Sequence, residues 1–563
     1  MSSKPRETVQ ALAWGMVWVL VCALLAPSAV TAQGTPRTLR VTTRLVVVNV
    51  VVRTKKGAPV AGLTRDDFTV LDNGKKRPLS IFSVERSGAP HAPRKPLPPN
   101  VFSNFTARDG SVPANPVVIL LDDMDTGWAD AYFARRELTK FILRLPQGDR
   151  VAIYELGPRG LEVLQDFTTS PAPLLEAARG YRGYTTAGPA ASGPRTVAAL
   201  PLVGEADAAA RFEEELRDLA DPYQAGYRPG YHGMSALAAI KMIAGRLSGL
   251  PGRKSLVWVT DCVPYPGPAQ LNLGSIRALS HYADPTPMER VMRNAVRSLN
   301  QADVALCPVD AHGLAAMGPD YQIVPMHIWA KRTGGRAYYF TNGLAQAMRH
   351  AVELSEVSYT LGYYPSDVPW NGGYRHIKVR VDRKGLRLYY RRGYYAGAAV
   401  PNARTSATSQ LEAAAASPLD STGLGVTVRL TPAGNAPSRL LRATVYIDAK
   451  GLTFQPVSGG YETSFDLWAG QYSRQGALLG ATAKKVSLKL NETQYRITLA
   501  GGVGMALREA AKSRAWQLRV AVQDAASGVI GSVRVPLHRM DRAVPARGPT
   551  SQVRTVCSCR PAR

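Results

Sequence analysis

Continuous apolar runs alternate with helically spaced apolar positions through the middle of the chain, and this alternation sets the first expectation. Val117-Val118-Ile119-Leu120-Leu121 carries no polar residue, as a strand covered on both faces requires. Leu138, Phe141, Ile142 and Leu145 follow at the spacing of a helix with one buried stripe. Val151–Tyr154, Leu161–Phe167, Ser255–Thr260, Val304–Val309 and Ala337–Phe340 read as further strands. Ile240, Ile243, Leu247 and Leu250, then Val291–Leu299, then the residues up to Leu354 read as helices. Such β/α alternation predicts an α/β domain over 116–396 with a doubly wound, mainly parallel sheet.

The flanks carry a different period. Leu45–Val52 is a Val/Leu run broken only by Asn49, Phe68–Asp72 is a second strand, and Asn73-Gly74 supplies a type I′ hairpin turn. With Ile81–Val84 these predict a small β-domain over 36–86. The segment 87–115, rich in Pro, Arg and small residues, reads as a linker. Beyond Leu354, Ser358–Tyr363, Ile377–Val381 and Leu386–Tyr390 alternate as antiparallel strands appended to the α/β domain, and tyrosines crowd there. Packing and an aromatic recognition surface both account for that crowding. The Ala-, Ser- and Thr-rich stretch 397–424 reads as a second linker, 425–540 as a β-sandwich-like domain, and 541–563 as a disordered basic tail. Between Tyr184 and Gly233 an insertion holds Glu213, Glu214, Glu215 and Asp218, which read as a solvated helix face.

The first residues change the picture by supplying an address. Lys4 and Arg6 precede an apolar stretch, Ala11–Leu25, and Val30-Thr31-Ala32 offers a cleavage site before Gln33. Residues 1–32 therefore read as a signal peptide, and the mature protein is expected to be periplasmic or secreted. No later stretch reaches the ~20 apolar residues of a membrane span. Hydrophobic residues make up 45% and charged residues 20% of the 563, a globular balance that excludes a wholly disordered chain. The net charge of +27 favours acidic partners such as an anionic envelope polymer. The basic residues are scattered with no dense block, so no specific nucleic-acid contact is expected. Of the five cysteines, Cys262 and Cys307 lie in the α/β region and Cys557 and Cys559 in the tail, and spacing alone does not pair them.

The most informative chemistry is Leu121-Asp122-Asp123-Met124-Asp125-Thr126. Ligands of doubly wound sheets sit beyond the carboxyl ends of the strands. An acidic residue there, with a hydroxyl four residues on, offers oxygen ligands to a hard cation such as Mg²⁺. Asp261 emerges at the end of Trp258-Val259-Thr260 and converges with Asp122 if the strands are neighbours. The opposing account is that these acids cap the following helix. No His-Glu-x-x-His or Gly-x-Ser-x-Gly occurs. Gly252-Arg253-Lys254-Ser255 lacks the earlier glycine of a phosphate loop and precedes a strand, so it reads as a helix-ending turn.

The strand with its acidic loop and the later hydrophobic-Thr-Asp resemble the metal-ion-dependent adhesion site of von Willebrand factor A domains. More narrowly, the chain is similar to VWFA-related proteins of acidobacterial type. That resemblance is carried by Gly62-Leu63-Thr64-Arg65-Asp66-Asp67-Phe68, by Gly249-Leu250-Pro251-Gly252-Arg253-Lys254-Ser255-Leu256-Val257-Trp258 and by Val309-Asp310-Ala311-His312-Gly313-Leu314. Thr333-Gly334-Gly335-Arg336-Ala337, Tyr359-Thr360-Leu361-Gly362-Tyr363-Tyr364-Pro365 and Arg392-Gly393-Tyr394-Tyr395 continue it. It implies a metal set of Asp122, Thr126 and Asp261, with Asp123 and Asp125 as helpers. The motif is partly degenerate: Met124 stands where the first hydroxyl belongs, and no Thr lies near Tyr231–Gly233.

These observations lead to an expectation of an exported, non-enzymatic binding or scaffolding protein with a protein partner. A basic, envelope-associated polyanion binder is the alternative, and a hydrolase using Asp122, Asp261 and His312 around a metal is the third reading.

Overall fold

The computed structural model describes residues 45–86, 97–104, 116–124, 126, 128–146, 148–181, 229–250, 252–264, 287–313, 323–354, 357–365, 368, 370–397, 407–431 and 440–537. The expected signal peptide, most of the acidic insertion, Asp125, Cys22, Cys557, Cys559 and the basic tail lie outside the described residues.

The protein is mixed α/β with several sheets, one of which contains parallel strands. That central sheet has the order Val304–Asp310, Lys254–Thr260, Val117–Asp122, Val151–Gly157, Gly160–Thr168. The first three junctions are parallel and the last is antiparallel. Every residue of Val117–Asp122, Lys254–Thr260 and Val304–Asp310 is buried, which is why their middles read as continuous apolar stretches. On one face Leu120, Tyr154, Trp258 and Leu306 meet the helices Pro229–Leu247, Pro287–Gln301 and Ile323–Thr333. On the other, Leu121, Ile153, Val257 and Cys307 meet Trp128–Ile142, Pro171–Gly180 and Leu344–Glu353. Each buried Leu or Ile in these layers stabilises the fold by about 1.5–3 kcal/mol.

Two central elements differ from expectation. Ala337–Phe340 is not a strand of the sheet, and only Tyr338 forms a bridge, to Val309. Gly334 and Phe340 have positive φ (85° and 50°), which ends the extended run on both sides. Gly335 passes so close to the neighbouring strand that an added Cβ would lie 1.9 Å from the Leu306 carbonyl oxygen. The turn that ends the helix comes just before Gly252, with Leu250 N–H donating to the Leu247 carbonyl; Gly252 has φ 76°, and Lys254 and Ser255 already open the next strand.

The N-terminal strands and the strands after Leu354 build one β-body rather than two separate additions. One sheet runs Leu386–Tyr389, Val46–Thr54, Val357–Tyr363, Ile81–Arg86, and the other Gly393–Tyr395, Tyr374–Val381, Phe68–Asp72, Lys75–Arg77. Val48, Val50, Phe68, Val70, Tyr359, Leu361, Ile377 and Val379 form their common core. Each half contributes strands to both sheets, and Val357–Tyr363 lies between Val46–Thr54 and Ile81–Arg86, so the two halves complete each other. Asn73 and Gly74 have positive φ (46° and 83°), the expected hairpin geometry. Of the crowded tyrosines, Tyr359, Tyr363, Tyr390 and Tyr394 are core residues here, Tyr359 and Tyr363 being fully buried.

Toward the C-terminus, Val503–Ala510, Leu440–Ile447, Val426–Thr431 and Val101–Ser103 form one antiparallel sheet. Gly460–Tyr472, Leu478–Leu490, Gln517–Asp524 and Ile530–Pro536, with the short Gln455–Val457, form another. Val428, Val445, Phe465, Leu467, Val520 and Val533 join them in one core. Both expected linkers contribute to this region. Val101–Ser103, inside 87–115, adds a strand to Val426–Thr431. Within 397–424, Ala407–Ala416 is a helix whose Leu411 and Ala415 pack on Trp468, Tyr472 and Ala521. Its alanine run has the best intrinsic helix propensity, which overrides the linker-like composition.

Candidate functional site

The strand order places a change in winding direction at the carboxyl edge of the central sheet. From Val117–Asp122 the chain moves to Val151–Gly157 on one side, and it later returns through Lys254–Thr260 on the other. The direction of winding reverses between Val117–Asp122 and Lys254–Thr260, and strand-end loops diverge at such a point. Asp122 closes the first of these strands, Asp261 follows the second, and Asp310 closes the adjacent one.

Asp122 is 1% exposed. Its Oδ2 accepts the Trp258 indole N–H at 2.9 Å and its Oδ1 accepts the Met124 backbone N–H at 3.2 Å. The Thr126 hydroxyl donates to the Asp122 backbone carbonyl at 2.5 Å. Two of the three expected metal ligands are thus turned to the chain's own groups. Asp123 accepts a short hydrogen bond from the Tyr181 hydroxyl. Burial, and then the charge of Asp123, push the Glu155 carboxyl up to about 7. Burial together with the same Asp123 charge drives the Tyr181 hydroxyl strongly upward.

Asp261 keeps different company. Its turn is held by Thr260, whose hydroxyl accepts from Cys262 N–H at 3.2 Å and donates to Cys262 O at 2.8 Å. The Ala311 N–H donates to the Thr260 carbonyl at 3.3 Å, tying the two strand ends together. His312 Nδ1 then lies 3.5 Å from Asp261 Oδ1 and 2.9 Å from Asp310 Oδ1. Asp130, in the first turn of Trp128–Ile142, completes the group: ligand atoms of Asp130, Asp261 and His312 all lie within 4.8 Å of one another. The Asp310 hydrogen bond, with the charges of Asp261, Asp310 and Asp130, outweighs desolvation and pushes the His312 imidazole up to about 9. Cys262 and Cys307 are not joined in a disulfide.

The residue that sequence reasoning missed is Asp130. Its only sequence signal is an acidic residue in the first turn of a helix, and its closeness to Asp261 arises from where that helix lies on the sheet.

No family model and no curated protein matches the chain. Among solved structures it is similar to a mutant of the PilB minor pilin from Streptococcus sanguinis (11% identity, TM-score 0.24), over 42% of this chain and 60% of the pilin. It thus spans less than two thirds of that protein. It is also similar to the TFIIH p34 N-terminal domain (12%, TM-score 0.21), over 42% of this chain and 96% of that one. A von Willebrand factor type A protein from Catenulispora acidiphila is a third such structure (12%, TM-score 0.24), over 62% of this chain and 81% of that one. At these TM-scores the likenesses carry no functional argument.

Proposed function

We propose that this chain is an exported, non-enzymatic binding or scaffolding protein. Its α/β domain, von Willebrand A-like in arrangement, holds a protein partner at the carboxyl edge of the central sheet through a divalent cation. One observation carries this reading: mostly buried carboxylates end adjacent parallel strands on both sides of the point where the winding reverses. Asp261 is central to it. The sequence pattern joins Asp261 to Asp122 and Thr126, and the packing joins it to Asp130 and His312. An ion there would keep an open position for a carboxylate of the partner. Among the described residues no helix is long and apolar enough to cross a membrane. Calorimetric titration with Mg²⁺, Mn²⁺ and Zn²⁺ tests the reading: saturable heat with at least one of these ions is expected in the wild type and its loss in Asp261→Ala. No heat in either protein counts against it.

A second reading, binding of an anionic envelope polymer, is favoured by one surface. Along Tyr374–Val381, His376, Lys378 and Arg380 are exposed and alternate with buried Ile377 and Val379. Lys378 is in register with Leu71, which is in register with exposed Lys76. This cationic face predicts retention on heparin that weakens steeply with salt. A Lys378→Glu/Arg380→Glu variant should elute earlier; unchanged elution would remove this reading.

A further inference from the structure

We propose that Asp130, Asp261 and His312 form a mixed nitrogen–oxygen metal site that takes a borderline transition-metal ion of the Zn²⁺ class in preference to Mg²⁺. The inference rests on the reading that a cation operates at this sheet edge, and it names the ion's class and its ligands.

The three residues come from three elements that meet only in the folded chain. Asp130 lies in the first turn of Trp128–Ile142, Asp261 in the turn after Lys254–Thr260, and His312 in the turn after Val304–Asp310. Their ligand atoms lie within 4.8 Å of one another. Two ligands on one tetrahedral ion with bonds of about 2.0–2.1 Å sit about 3.4 Å apart. The observed His312 Nδ1 to Asp261 Oδ1 distance of 3.5 Å already has that spacing. Closing the set onto an ion then requires a small adjustment of Asp130, whose surroundings are half-open.

The chemistry of the set decides the class of ion. Imidazole nitrogen with carboxylate oxygens suits Zn²⁺ and its neighbours in the first transition row. Mg²⁺ prefers an octahedral shell of oxygens and keeps several waters. The all-oxygen alternative is also less available, since the Asp122 carboxyl and the Thr126 hydroxyl are engaged by Trp258, Met124 and the backbone. Three protein ligands leave a fourth position for water or a partner's carboxylate. Asp310 acts as a positioning residue. Its Oδ1 accepts the His312 backbone N–H at 3.1 Å, which fixes the turn, and contacts Nδ1 at 2.9 Å, a contact that Nδ1 gives up on binding the ion.

The test is titration of the chelator-treated protein with Co²⁺, read by its visible absorption, followed by competition with Zn²⁺ and Mg²⁺. Stoichiometric Co²⁺ uptake is expected, displaced by Zn²⁺ and unaffected by excess Mg²⁺. His312→Asn and Asp130→Asn should each abolish the tetrahedral spectrum. Asp310→Asn should weaken binding by loosening the His312 turn, and His376→Asn, on the β-body, should change nothing. The His312 side chain is 39% exposed, so its loss is compatible with folding, which far-UV circular dichroism checks. If Co²⁺ uptake survives both His312→Asn and Asp130→Asn, or Mg²⁺ displaces it at equal concentration, the inference fails. A cation dependence that Asp261→Ala still abolishes would then leave the functional reading standing. If no divalent ion binds at all, both fail.

Discussion

Replacing Asp72 should break the β-body that joins the two ends of the α/β region. Asp72 has no solvent exposure. Its carboxylate accepts from Arg375 Nε at 2.8 Å, the Tyr394 hydroxyl at 3.0 Å and the Tyr363 hydroxyl at 3.3 Å. All three donors lie on strands that follow the α/β core, whereas Asp72 precedes it. Asp72→Ala strands a guanidinium whose side chain is only 15% exposed. Breaking one partner of such a buried pair costs about 3–5 kcal/mol. Asp72→Asn keeps the shape and one acceptor oxygen, and should cost nearer 1.5–3 kcal/mol. In the double variant Asp72→Ala/Arg375→Met no charge is stranded, so much of the loss should return. Hydrogen exchange, read segment by segment, is the suitable assay, because a protein with several cores need not unfold in one step. Asp72→Ala should lower protection in Phe68–Asp72 and in Val357–Tyr363 and Tyr374–Val381 together. A loss below about 1 kcal/mol, or one confined to the N-terminal strands, would refute the argument that the two halves complete one core.

Two further outcomes follow from buried polar groups. Burial, opposed by Asp303 and then Glu85, lowers the Lys254 ammonium from 10.5 to about 8. Between those values the unfolded chain holds a proton that the folded chain has lost, so this group makes stability rise with pH, by up to about 3 kcal/mol. Denaturation midpoints measured from pH 8 to 10.5 should show that rise in the wild type and lose it in Lys254→Met; parallel curves would exclude the assignment. Trp258→Phe removes the indole donor to Asp122 and should cost about 1–3 kcal/mol. In a double-mutant cycle with Asp122→Leu the two losses should be less than additive, and strict additivity would mean the pair is uncoupled.

What the sequence made legible was local. The unbroken run at Val117–Leu121 identified a doubly covered strand because both faces are buried and neither tolerates a polar side chain. Asn73-Gly74 identified its turn because the turn demands positive φ. Strand partnership was not legible. The Val run in Val46–Thr54 says that the strand is buried, but not that Val357–Tyr363 and Leu386–Tyr389 flank it. The two linker-like segments misled for a related reason: composition reports average polarity, whereas Val101–Ser103 and Ala407–Ala416 are fixed by a few long-range contacts. At the sheet edge, Asp122, Asp261 and His312 announced themselves by following strands. Asp130 did not, since its place depends on how one helix crosses the sheet.

Anomalous diffraction from crystals of the chain beginning at Gln33, grown with Mn²⁺ and separately with Zn²⁺, tests the central claim most directly. The account predicts an anomalous peak within bonding distance of Asp261 at the carboxyl edge of the central sheet. Featureless density there with both ions, and Asp261 bonded only to protein groups, would contradict it.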